Sequence, residues 1–179
     1  MLFRSRRKIS QHPSLNPRIV QTLLSLLVAA LEANRASPSG YQLVKTQLEM
    51  ATLRRQQGRL DEASALLAGI DRKSYADTAW RAGFEDAEQA QIAAAKGDKA
   101  TALRLYLQAE AQLASGLGPE HPDVWLQKLD RAELLVAMGE SQAARALATQ
   151  IALKARTSIA PGGVWARRLQ ALGAEPAPL

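Results

Sequence analysis

The chain of 179 residues contains no cysteine, only two histidines and few aromatic residues, which make up 4% of the sequence. Without cysteine, the protein has no disulfide, no thiolate nucleophile and no cysteine-ligated zinc or iron–sulfur centre. His12 and His121 are too few for a histidine-rich metal site. We therefore expect neither a metal nor a cofactor. The absence of cysteine is also compatible with the cytoplasm, which is the location that we expect.

Long hydrophobic runs are missing as well. The most apolar stretch, Leu23 to Leu31, is shorter than the roughly 18 apolar residues that a membrane-spanning helix needs. Pro13 and Pro17 separate it from the basic residues upstream, and polar residues flank it on both sides. An amphipathic helix is therefore a better interpretation than a signal peptide, and we expect no membrane contact.

The net charge of +6 is concentrated at one end of the chain. Arg4, Arg6, Arg7 and Lys8 account for +4, so +2 remains over all other residues. A nucleic-acid-binding domain spreads its basic residues over a face or along a helix, so no nucleic acid is expected as a partner. Leu2 to Ser5 resembles translated sequencing-adapter DNA. We interpret residues 1–15 as a disordered or artefactual tail and expect the native chain to begin upstream.

Helix-forming residues dominate the rest of the sequence, with alanine and leucine most frequent, and β-branched and aromatic residues are scarce. This composition predicts an all-α protein. Glycines, prolines and capping residues divide the chain, with residues 174–179 left as a frayed tail. The helices are predicted at about 17–33, 41–57, 60–70, 75–96, 99–114, 122–138, 141–156 and 164–172.

Three segments align on glycines, Gly58, Gly97 and Gly139, which are 39 and 42 residues apart. Antiparallel helices that pack closely need small residues where their backbones approach, and glycine permits the turn between them. Residues nine and twelve positions after each glycine are expected to pack against the next helix pair. The alanines seven positions before and five positions after the glycines are Ala51 and Ala63, Ala90 and Ala102, and Ala132 and Ala144.

This spacing resembles the tetratricopeptide repeat (TPR), in the longer variety found in kinesin light chains. The closest stretch is "GDKATALRLYLQA", Gly97 to Ala109, and the phrase Gly118 to Pro122 matches the opening common in such repeats. The usual early aromatic residue is missing, since Gln47, Asp86 and Lys128 occupy its place. The resemblance implies stacked antiparallel helix pairs forming a short right-handed solenoid. It predicts one domain over 16–173, with repeats at about 41–74, 75–118 and 119–157 and flanking helices at 17–33 and 164–172.

The resemblance also implies a non-catalytic scaffold that holds a peptide or helix of a partner protein in its concave groove. Trp125 and Trp165 are additional candidate anchors of that groove. A second hypothesis is that the chain is the C-terminal regulatory part of a larger signalling protein, because such repeats resemble the tails of some bacterial serine/threonine kinases. Nucleic-acid binding is the third hypothesis. The first-helix positions that face the groove in the family correspond here to Lys45, Thr52, Arg55, Phe84, Gln91 and Glu133.

The tripeptide His121-Pro122-Asp123 is also the signature of J-domain co-chaperones. In that family a basic helix directly precedes the tripeptide, and this chain lacks such a run. Pro122 suits the first position of a helix, and Asp123 suits the first turn, where the helix dipole favours an anion. We therefore predict that the tripeptide starts a helix.

Other charged groups offer weaker candidates for chemistry. The acidic pairs Asp61-Glu62 and Glu85-Asp86 are adjacent residues, which point about 100° apart on a helix, so we expect them to be solvated. The basic groups, Arg54-Arg55 with Arg59 and Arg72-Lys73, could bind an acidic peptide or phosphate, or form a solvated face. No residue pattern indicates catalysis, and we predict that the protein is not an enzyme.

Overall fold

The computed structural model describes residues 22, 25–30, 32–33, 40–75, 80–155, 159–160 and 162–174. Within these ranges the regular structure is helical and no residue lies in a β-strand, which confirms the all-α prediction. Residues 22, 25–30 and 32–33 are helical and belong to the first predicted helix. The remaining elements are α1 (Gly40–Gln56), α2 (Leu60–Ala68), a 3₁₀ turn (Arg72–Tyr75), α3 (Trp80–Ala95), α4 (Lys99–Leu117), α5 (Pro122–Met138), α6 (Ser141–Lys154) and α7 (Val164–Ala171).

Consecutive helices run antiparallel. Short turns join α1 to α2, α3 to α4, α4 to α5 and α5 to α6. Polar contacts connect the end of one helix to the beginning of its neighbour in four places. In the described part of the chain, no helix is both long and apolar enough to cross a bilayer. Of the predicted tails, residues 1–15 and 175–179 lie outside the described residues. Ala174, where the frayed C-terminal tail was predicted to begin, is instead 4% exposed and packs in a hydrophobic cluster, so that boundary is wrong by one residue. The end-to-beginning contacts are Arg54–Glu62, Lys96–Asp61, Lys99–Ala137 and Lys154–Glu120.

The six aligned alanines are all fully buried, with no accessible surface. Each pair lies in one hydrophobic cluster: Ala51 with Ala63, Ala90 with Ala102, and Ala132 with Ala144. This confirms that small residues lie where paired helices pack most closely. The larger residues predicted to contact the next helix pair are buried too, among them Leu67, Tyr106 and Ile151.

The three turn glycines adopt positive φ angles: 76° at Gly58, 86° at Gly97 and 91° at Gly139. A Cβ atom at any of them would meet nothing within 4 Å. Glycine is therefore required by the backbone conformation and not by lack of space, because residues with a Cβ rarely adopt this region. The permissive turn predicted from the sequence is confirmed.

Helix α4 is longer than predicted. The sequence interpretation ends it at Ala114 and assigns Gly116 to the closing loop, but the helix continues to Leu117. A Cβ at Gly116 would lie 2.5 Å from Trp80, so this glycine allows the two helices to touch. Only Gly118, with φ of 92°, ends the helix. Tyr75, near which the preceding helix was predicted to begin, lies in the 3₁₀ turn; residues 76–79 lie outside the described residues, and α3 is described from Trp80.

The alanine contacts can be tested by enlarging one of them. We expect Ala102→Leu to lower the free energy of unfolding by about 1–3 kcal/mol, because added methyl groups must push α3 and α4 apart. Ala111→Leu is the matched control, since Ala111 lies on the exposed face of the same helix and should change stability by less than about 0.5 kcal/mol. Urea unfolding measures both. Equal effects of the two substitutions would contradict close packing at Ala102.

Candidate protein-binding face

Helices α1, α3, α5 and α7 form one set, here called the first helices, and α2, α4 and α6 form the second helices. Arg168 of α7 contacts Asp130 and Glu133 of α5, while Trp165 and Trp125 share a cleft at the N-terminal ends of the same two helices. α5 and α7 are therefore parallel. Since consecutive helices are antiparallel, α1 and α3 share this direction, and the first helices lie side by side.

A charged hydrogen-bond group connects α1 to α3. The Arg55 guanidinium donates to both carboxylate oxygens of Glu88, with Nε–Oε1 at 2.7 Å and Nη2–Oε2 at 3.3 Å. The hydroxyl of Thr52 donates to Glu88 Oε2 at 3.0 Å. Glu88 is only 7% exposed, so its charge depends on these partners in place of water.

A second group continues from α3 to α7. The amide Nε2 of Gln91 donates to Asp130 Oδ2 at 2.9 Å. Arg168 then binds two carboxylates of α5, donating from Nη2 to Asp130 Oδ1 and from Nε to Glu133 Oε1, the latter at 2.6 Å. Together the two groups form a polar ladder across the first helices, consisting of Thr52, Arg55, Glu88, Gln91, Asp130, Glu133 and Arg168.

The ladder is partly withdrawn from water. Burial raises the pKa of Asp130 above its ordinary value of 3.8, and the neighbouring Arg168 only partly offsets this. Burial lowers the pKa of Arg168, but the carboxylates of Glu133 and Asp130 outweigh it and raise that pKa overall. Tyr106 of α4 lies beneath the ladder, and its pKa is raised by burial and by Asp130. The charged form of Arg168 is therefore favoured by its carboxylate partners, whereas burial disfavours the charged forms of Asp130 and Tyr106.

The structure brings together four of the six residues predicted to face the groove: Thr52, Arg55, Gln91 and Glu133 belong to the ladder. The other two lie on the same helices, α1 and α3, but contact other residues. Lys45 is exposed and contacts Glu49 at 3.9 Å, and half-buried Phe84 packs edge-on against Trp80 with ring centroids 6.0 Å apart. The ladder's remaining members, Glu88, Asp130 and Arg168, were not predicted as site residues.

The tripeptide at His121 starts a helix, as predicted. Pro122 is the first residue of α5, and Asp123 lies in its first turn. His121 caps the helix, because its Nδ1 accepts a hydrogen bond from the backbone N–H of Asp123 at 3.3 Å. Every residue of the tripeptide thus has a role in beginning α5.

The basic clusters contact carboxylates within the chain. Arg54 and Arg59 contact Glu62, Arg55 contacts Glu88, and Arg72 contacts both Glu85 and Asp86. The expectation of a solvated Glu85-Asp86 pair is wrong: these residues are 3% and 2% exposed. Although they project differently from α3, the forked guanidinium of Arg72 reaches both. Asp61, by contrast, is solvent-exposed as expected.

Comparison with protein-family models, with curated proteins and with solved structures gives no match.

A double-mutant cycle tests the link between α1 and α3. We expect Arg55→Met and Glu88→Gln to show a coupling energy of about 1–3 kcal/mol in urea unfolding, because each removes a charge that the other needs. Lys45→Met and Glu49→Gln form the control cycle. Their side chains are 59% and 50% exposed, so we expect coupling below about 0.5 kcal/mol. Equal couplings would show that the ladder contact adds no more than a surface pair.

The raised pKa of Asp130 predicts a pH dependence. A carboxyl whose pKa is higher in the folded protein stabilises it most below the ordinary pKa of 3.8, and this contribution is lost as pH rises through the folded pKa. We therefore expect the stability of the wild type relative to Asp130→Asn to fall as pH rises above about 4 and then to level off. Urea unfolding across this pH range measures the difference. A relative stability that increases with pH would mean that Arg168 outweighs burial.

Proposed function

We propose that this protein is a non-catalytic scaffold that binds a linear peptide or a helix of a partner protein along its first helices. The observation that carries the proposal is the polar ladder, which joins α1, α3, α5 and α7 into one continuous face. An aligned, rigid face spanning several helices suits an extended partner, because its recognition groups are positioned before binding. The TPR-like repeat identity and a cytoplasmic location belong to the same proposal.

Side chains of three kinds remain available around the ladder. Lys45 is an exposed cation, Phe84 is a half-buried aromatic residue, and the side chain of Glu133 is 45% exposed despite its contact with Arg168. A partner would therefore meet a positive, an apolar and a negative position along the face. Such mixed chemistry favours a protein segment over a polymer with one sign of charge.

The charge distribution also supports a protein partner over a nucleic acid. Arg54, Arg55, Arg59 and Arg72 already contact carboxylates of the same chain. Phosphate binding needs basic groups that can release counterions, and paired guanidiniums supply few of these. If nucleic acid were the ligand, binding would weaken steeply with salt and would survive removal of residues 1–10.

Selection from a display library of random linear peptides tests the proposal. We expect the wild type to enrich a common motif. Lys45→Glu should weaken a selected peptide by about tenfold or more, since it reverses the charge at an exposed position of the face. Lys45 is preferable to Arg55, Gln91 and Glu133, whose replacement would also break contacts between the first helices. Fluorescence anisotropy of labelled peptides gives the affinities.

Arg104→Glu is the matched control for this experiment. Arg104 is an exposed cation on the second helix α4, away from the first helices, so its reversal should leave affinity within about twofold. The proposal fails if no motif is enriched, or if the selected peptides respond to Arg104→Glu and not to the first-helix variant.

A further inference from the structure

A small cleft lies where the N-terminal ends of α5 and α7 meet, apart from the ladder. Its volume is about 220 Å³, which is below the roughly 300–1,000 Å³ of sites for drug-sized ligands. It has room for one compact group. The residues that line it are mostly apolar: Pro122, Trp125, Ile159, Ala160, Gly163, Val164 and Trp165.

Trp125, which lines the cleft, has an unused hydrogen-bond donor that lies just beneath the cleft surface. Trp125 is 6% exposed, and its indole Nε1 is buried without a hydrogen-bond partner in the structure. An indole N–H can only donate, and leaving a buried donor unpaired costs about 1–3 kcal/mol. A hydrogen-bond acceptor entering the cleft, with a small rotation of the ring, would remove this cost.

The cleft also lies at the positive ends of two helices. Pro122 is the first residue of α5 and Val164 the first residue of α7. Gly163 precedes α7 and offers no side chain to cap it, so the first N–H groups of that helix have no carbonyl partner within it. None of the lining residues is acidic. The side chains of His121 and Asp123 already occupy the first turn of α5, so it is the dipole and the uncapped start of α7 that favour a negatively charged acceptor.

We propose that this tryptophan cleft binds a compact apolar group that carries a carboxylate. The apolar part would contact Ile159, Val164 and the indole rings, and the carboxylate would accept hydrogen bonds from Trp125 Nε1 and from the start of α7. Two sources share this chemistry: a small free carboxylic acid and the C-terminal residue of a peptide. The site goes beyond the proposed scaffold function, because it uses no residue of the polar ladder.

Titration with 3-phenylpropionate, followed through the indole N–H signals in two-dimensional NMR, tests this site. The chain has three tryptophans, so Trp80→Phe and Trp165→Phe assign the signals. We expect a saturable downfield shift of the Trp125 indole proton, a smaller change at Trp165 and none at Trp80. The neutral analogue 3-phenylpropanamide should bind about tenfold more weakly or worse, because the helix ends favour an anion.

Val164→Asp and Val164→Asn provide a matched pair of variants. Val164 is 59% exposed, and a carboxylate at the first position of a helix favours folding, so both variants should fold. Val164→Asp should weaken 3-phenylpropionate binding by about tenfold through repulsion, while Val164→Asn should stay within about threefold of the wild type. Circular dichroism melting checks that both are folded.

A peptide arm identifies the source of the ligand. N-acetyl-glycyl-phenylalanine with a free C-terminus is compared with 3-phenylpropionate, and the tighter binder shows whether a chain terminus or a free acid fits better. Binding by either one supports the site. No saturable Trp125 shift with either carboxylate, equal binding of acid and amide, or equal affinities of the Asp and Asn variants would overturn it. The scaffold proposal is judged separately, by the response of the selected peptides to Lys45→Glu, a variant that leaves the cleft unchanged.

Discussion

The two helices of each pair meet through small side chains, at a short distance that leaves no solvent-accessible surface on them. The fully buried alanines, such as Ala90 with Ala102, define this distance in each pair. Contact at this range requires a turn that reverses the chain within a few residues, and glycines with positive φ angles provide it. It also leaves the larger side chains, such as Tyr106 and Leu67, to fill the space toward neighbouring helices. Each helix pair therefore has larger side chains on its outer surface, and these are buried only when another pair packs against them.

Apolar contacts between such units are not directional, so they do not by themselves determine how one pair is aligned on the next. The polar ladder does, because hydrogen bonds such as Arg55–Glu88 form only at one offset between α1 and α3. Placing these charges away from water is costly, so their main effect need not be greater stability. We infer that the ladder selects one alignment of the helix pairs and so makes the candidate binding face continuous.

The spacing of glycines and alanines in the three aligned segments predicted the parts of the fold that depend on local sequence. The alanine pairs, the turn glycines and the limits of α5 follow from residues within one helix pair, where spacing translates directly into position. Gly116 was misread because its role depends on Trp80, a residue far away in the chain that occupies the space of its missing side chain. A glycine needed for close approach and one needed for a turn look alike in a sequence.

For the ladder contacts, one residue of a pair was predicted from the sequence, but its partner on the neighbouring helix was not. Thr52, Arg55, Gln91 and Glu133 were predicted because the resemblance to the tetratricopeptide repeat implies that their positions face a groove, but their partners Glu88, Asp130 and Arg168 were not predicted. Periodicity shows which face of a helix a residue occupies and does not show which residue of the neighbouring helix lies opposite. The same limit applies to Glu85 and Asp86. Their side chains leave the helix in different directions, and the sequence does not show that the guanidinium of Arg72 contacts both carboxylates.

The alanine contacts and the ladder contacts differ in the sequence separation of the residues that they join, and this difference affects the order of folding. Paired alanines are separated by 12 residues, whereas the ladder joins residues that are 33 to 39 positions apart. Contacts between near neighbours form with less loss of chain entropy and therefore earlier. During synthesis on the ribosome, we expect each helix pair to pack as soon as its second helix emerges. The charged side chains of its first helix can form their ladder contacts only after the first helix of the next pair has also emerged.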